Sequence, residues 1–133
     1  EVKALRDLVP DMGQHVCTAD SVICMGGHVE ELKCASRNIS RLPESFGDLQ
    51  WLKKLHLQRN KLRSLPESFG KLWSLETLYL YDNNLSSLPE SFGSLSQLKR
   101  LYLQNNHLAS LPESFGSLSR LEHLAFFQTK RAH

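Results

Sequence analysis

The chain has 133 residues, 41% hydrophobic and 23% charged, values that exclude a wholly disordered polymer. Sixteen Lys and Arg against fourteen Asp and Glu leave a formal charge of +2, too balanced to point to nucleic acid. No apolar run reaches the roughly 18 residues of a membrane span, and the length suits one domain.

The chain opens at Glu1 without an apolar leader, the pattern of a mature secreted protein or of an excised fragment. Val2, Leu5, Leu8, Val9 and Met12 then fall at helical spacing before Gly13. They predict a short amino-terminal helix that Pro10 shortens or kinks. Three cysteines follow within residues 17–34, so at most one pair and one thiol are available. Cys17 and Cys24 are seven positions apart. Cys34 stands where later segments carry Leu57, Leu80 and Leu103, the place of a buried, inert thiol. A zinc site built from Cys17, Cys24 and His28 would lack a fourth ligand.

From residue 29 the chain repeats itself. Leu-Pro-Glu-Ser-Phe-Gly occurs at 42–47, 65–70, 88–93 and 111–116, each copy 23 residues from the last. Between the copies runs L-x-x-L-x-L-x-x-N-x-L, from Leu52 to Leu62, Leu75 to Leu85 and Leu98 to Leu108. In L-x-L the two leucines point to one face of a short strand. One repeat cannot bury that face alone, and stacked neighbours can. Asn60, Asn83 and Asn106 carry amides able to satisfy backbone groups where the chain leaves each strand. Phe46, Phe69, Phe92 and Phe115 are expected to fill the opposite, convex side. The Pro of each copy sets φ after the last core leucine, and the Gly is expected to permit a turn. Glu44, Glu67, Glu90 and Glu113 read as a solvated ridge.

This pattern resembles the leucine-rich repeat family, over residues 29–127. The resemblance implies an α/β solenoid: a leucine-rich repeat arc with a parallel sheet of about five strands on the concave face. The preceding segment resembles the amino-terminal cap of plant-type extracellular members. There a short helix and a close cysteine pair precede a Gly-x-Val-x-x-Leu-x-Leu strand; here Gly27, Val29, Leu32 and Cys34 fill those places. The Trp usual between the cysteines is absent, and the repeat has 23 residues rather than the usual 24. The family pattern implies a Cys17–Cys24 disulfide worth about 2 kcal/mol; two thiols in a reducing compartment are the alternative. The expected domains are a cap at 1–28, repeats at 29–127 and a short basic tail at 128–133.

At the carboxyl end Leu121, Leu124 and Phe126 start a fifth strand, and Thr129 stands where Asn is expected. Phe126 and Phe127 are expected to leave an apolar edge that more chain or a partner covers.

The outward strand positions vary while the rest of the repeat is nearly uniform. Tyr79, Tyr81, Tyr102 and Phe127 form a candidate aromatic cluster, with His56, Arg59, Arg100 and His123 around it. Aromatic and Arg side chains are the types that dominate interfaces, although Tyr also simply suits strands. The whole face covers roughly 320 Å² by strand geometry. That falls short of the about 800 Å² a standard interface takes from each partner, so loops or edges must join in. Trp51 and Trp73 lie just before the strands, as packing or as a second contact site. Asn38-Ile39-Ser40 and Asn84-Leu85-Ser86 match the glycan acceptor triplet.

No Walker loop, zinc-protease helix or nucleophile elbow is present, and the histidines fall at unrelated places in the repeat. No cofactor, metal or catalytic residue is implied. The expected function is a non-catalytic module that binds a protein or peptide on its concave face. The alternatives are an accessory subunit of a larger assembly and the recognition arm or ectodomain of a larger receptor. The cap resemblance implies secretion or an organelle lumen, with an intracellular location as the alternative.

Overall fold

A computed structural model describes residues 22–25 and 27–127. The expected helix over 2–12, Cys17, the side chain of Cys24, Thr129 and the 128–133 tail lie outside the described residues, and with them the disulfide pairing.

Six strands form one sheet in chain order: β1 (Val22–Met25), β2 (His28–Lys33), β3 (Lys54–His56), β4 (Thr77–Tyr79), β5 (Arg100–Tyr102) and β6 (His123–Ala125). β2 to β6 run parallel, as the repeats require, with Leu32, Leu55, Leu78, Leu101 and Leu124 side by side. β1 was not expected. It pairs antiparallel with β2 through a turn at Gly27, whose φ of 84° is open only to a residue without Cβ strain.

Each return to the sheet passes through one short 3-10 helix: Glu44–Asp48, Glu67–Lys71, Glu90–Ser94 and Glu113–Ser117. Pro43, Pro66, Pro89 and Pro112 precede them in extended conformation, with φ between −73° and −64°. The buried core runs unbroken between the sheet and these helices. Phe46, Phe69 and Phe92 are wholly buried in it, and successive Phe rings from 46 to 115 lie parallel at 6.1 Å. On the sheet side, His56 to Tyr79 and Tyr79 to Tyr102 are only 4.8 and 4.9 Å apart. The helical side is therefore wider per repeat, and the sheet face is the concave one.

The motif glycines have a different task from the one expected. Gly47, Gly70 and Gly93 do not adopt positive φ. A Cβ on them would lie 2.4, 2.4 and 2.2 Å from the carbonyl oxygens of Ser68, Ser91 and Ser114 in the next repeat. They are small so that neighbouring 3-10 helices can touch. The serines complete that contact: the Ser91 and Ser114 hydroxyls donate to the Glu67 and Glu90 carbonyls of the preceding repeat. Gly116 meets no atom within 4 Å, since no described helix stacks upon it.

The asparagines stand at the opposite end of each strand. The Asn60 Oδ1 accepts from the Arg37 and Ile39 N–H groups at 2.9 and 3.0 Å, and its Nδ2 donates to the Cys34 and Leu57 carbonyls. Asn83 accepts from Leu62 and donates to Leu57 and Leu80; Asn106 accepts from Leu85 and donates to Leu80 and Leu103. Each amide thus ties its own repeat to the one before. The residue ahead of Asn60, Asn83 and Asn106 is left-handed, at Arg59, Asp82 and Asn105, with φ between 57° and 60°. That conformation turns the chain out of the strand and, among residues with a Cβ, is tolerated best by Asn and Asp.

Candidate functional site

The concave face is built by residues between and beside the buried leucines, which alternation turns away from the core. In the shared register, Lys33, His56, Tyr79, Tyr102 and Ala125 form one column across the sheet. Glu31, Lys54, Thr77, Arg100 and His123 form the column beside it.

Within these columns four rings make a continuous file. His56 stacks on Tyr79 at 4.8 Å and 16°, and Tyr79 stacks on Tyr102 at 4.9 Å and 8°. His123 crosses Tyr102 at 5.1 Å and 45°. The two histidines therefore belong to the aromatic file instead of surrounding it. The file is anchored at one end, where the His56 Nε2 lies 2.8 Å from Glu31 Oε2. Burial pushes the Tyr79 phenol above its ordinary pKa; Tyr102 adds to this, and Arg100 opposes it. The phenol stays neutral at physiological pH, both donor and acceptor.

A second group lies one step further along the strands. The Arg59 guanidinium sits 6.0 Å from the Tyr81 ring centre, within cation–π range, and its Nε is 3.6 Å from Asp82 Oδ2. The Asn105 amide donates to Asp82 Oδ1 at 2.7 Å. Arg100 is exposed beside the ring file. Phe127 is 63% exposed at the carboxyl edge and makes no ring contact with another described residue. It stands apart from the tyrosines, while Phe126 packs on the core.

Glu31 and Asp82 are not among the expected site residues, although Glu31 contacts His56 and Asp82 contacts Arg59. Their signal was visible in the sequence: both stand at outward positions beside His56 and Arg59. Of the glycan acceptors, Asn38 is exposed at a φ of 62°, and Asn84 is half-buried with its N–H on the Leu62 carbonyl. Trp51 and Trp73 lie outside the sheet face and are solvent-exposed. Among the described residues, no group of three potential ligands could hold a metal ion, and no helix is long and apolar enough to cross a membrane.

The sequence profile of the leucine-rich repeat region family matches residues 32–133. Among solved structures, a leucine-rich repeat protein of Leptospira interrogans shares 36% identity over 71% of this chain and 24% of its own, with a TM-score of 0.70. The chain thus spans about a quarter of that protein's length. The ectodomain of the receptor kinase SOBIR1 from Arabidopsis thaliana shares 25% identity over 94% of this chain and 90% of its own, with a TM-score of 0.72. A structure of the BIR3–SERK2 complex from the same plant shares the fold, at 23% identity over 94% and 78% and a TM-score of 0.72. No curated protein matches the sequence.

Proposed function

Because the chain belongs to the leucine-rich repeat family, we propose that it is a non-catalytic recognition module that grips a protein or peptide on its concave face. The observation that carries this reading is the file of four rings from His56 to His123, three of them stacked and the last tilted. Nothing in the fold demands rings there, since Lys33 and Ala125 occupy the same column. Stacked rings are rigid, so little entropy is lost when a partner settles on them. Arg59 and Arg100 beside them supply directional donors for a partner's carboxylates or carbonyls.

An extracellular or luminal role accords with the likeness to a receptor-kinase ectodomain, and the close cysteine spacing of the cap fits the same setting.

Photo-crosslinking locates the contact. A benzophenone side chain placed at Tyr79 is expected to capture a partner from the source material, and the same group at Glu90, on the convex ridge, is expected to capture none. Capture from position 90 and not from 79 would reject the concave face.

A further inference from the structure

The concave face falls short of the area a standard partner covers, so the contact must continue over a lip of the sheet. The two lips differ in charge. Where the chain enters the strands, Glu30, Lys53, Glu76, Lys99 and Glu122 alternate in sign and give no strong net field. Where it leaves them, residues 36–41 and 59–64 hold five Lys or Arg and no Asp or Glu. That local charge exceeds the +2 of the whole chain, which is therefore polarised.

Arg59, Lys61 and Arg63 form the centre of this patch, with Arg37 and Arg41 in the repeat before. All five are exposed. The two segments lie side by side, since the Lys61 N–H donates to the Ile39 carbonyl at 2.7 Å. Asp82, in the next repeat, pairs with Arg59. Lys61 and Arg63 have no ion-pair partner among the described residues. Packing does not demand cations here, because the equivalent segments 82–87 and 105–110 hold no Lys or Arg.

Charge and continuity define the ligand. Ile39 and Leu62 are buried, so the exposed side chains of the patch are polar and offer no apolar anchor. Four of the five cations are Arg, whose planar fork pairs two-pronged with carboxylates. At the inner edge Arg59 lies 6.0 Å from the Tyr81 ring centre, so the patch adjoins the concave aromatic residues. A ligand that covers both must carry apolar surface and anions on one chain. A polypeptide does so, and a sulfated glycan or a nucleic acid duplex does not. We propose that this basic lip takes an acidic segment of the same protein partner whose apolar side chains settle on the ring file. The inference rests on the concave face being the contact surface. It adds Lys61 and Arg63 as the residues that select the partner's charge.

Selection of displayed random dodecapeptides on the full chain tests it, since an extended dodecapeptide of about 40 Å reaches from the rings to the lip. The selected pool is expected to join an aromatic or aliphatic stretch to a run of Asp and Glu. Lys61→Glu/Arg63→Glu is expected to weaken the selected peptides at least about tenfold, and Lys61→Gln/Arg63→Gln by less. Lys71→Glu/Arg120→Glu makes the same change of charge on the convex side and the opposite flank, and is expected to weaken them less than about twofold. Circular dichroism checks each fold. The proposal is overturned if the pool is not enriched in Asp and Glu, or if the folded Lys61→Glu/Arg63→Glu variant binds as wild type does. In that case peptides lost on Tyr79→Ala/Tyr102→Ala leave the concave face as the contact, and peptides indifferent to those changes reject the face itself. A heparin dodecasaccharide bound by wild type and lost from the lip variant, with no acidic peptide selected, would also overturn the proposal and assign the lip to a sulfated glycan.

Discussion

Replacing Asn83 with Ala is expected to destabilise the protein by about 3 kcal/mol, read as a lowered midpoint in urea. The amide is wholly buried and joins two repeats. It accepts from the Leu62 N–H at 3.0 Å and donates to the Leu57 and Leu80 carbonyls at 2.9 and 3.0 Å. The losses are unequal. The two carbonyls keep a second donor each, from Asn60 and Asn106. The Leu62 N–H has no such substitute and would be left buried and unpaired, at about 1–3 kcal/mol by itself. Asn83→Asp separates the terms. A carboxylate can still accept from Leu62 but faces the two carbonyls without a donor. It is expected to be worse than Ala at neutral pH and to recover in acid, as protonation restores an O–H.

Phe69→Ala is expected to cost more, about 3–5 kcal/mol. Its ring is fully buried between Phe46 and Phe92, 6.1 Å from each. Truncation opens a cavity that the rigid neighbouring helices cannot close, because Gly47, Gly70 and Gly93 already bring them into contact with the next repeat. Phe115→Ala provides the internal comparison. Among the described residues Phe115 has one ring neighbour, Phe92, and it is only partly buried. Its loss is expected to cost less than half as much, measured in the same denaturation series. Equal costs at 69 and 115 would mean that the convex stack adds little.

The parallel sheet and its register were legible because both follow from a 23-residue step applied to L-x-L. The Asn positions were legible because one polar residue recurs amid leucines. The β1 hairpin was not, because Val22-Ile23-Cys24-Met25 is continuously apolar and carries no alternation. Only Gly26-Gly27 hinted at its turn. The role of Gly47, Gly70 and Gly93 was missed for a different reason. A glycine reads locally as a turn, whereas here it answers to the close approach of a serine about 20 residues further on.

One pattern was open to view and overlooked. Glu30, Lys53, Glu76, Lys99 and Glu122 occupy the same place in successive repeats, so the sign of the charge alternates along the solenoid. Lys53 Nζ lies 3.7 Å from Glu30 Oε1 at the start of that column. Total charge, at +2, concealed it. The site shows the same limit. Its aromatic members were legible as outward residues that vary, while the stacking of His56 and His123 into the file depends on side-chain angles that spacing does not supply.

The central claim is that the tyrosines of the concave file, and not the uniform convex surface, carry recognition. The direct measurement is the affinity of the crosslinked partner for wild type and for Tyr79→Ala/Tyr102→Ala, with circular dichroism on both. Two central aromatic contacts removed together are expected to weaken binding at least about 100-fold with an unchanged spectrum. Unaltered affinity in the folded double variant would contradict the claim.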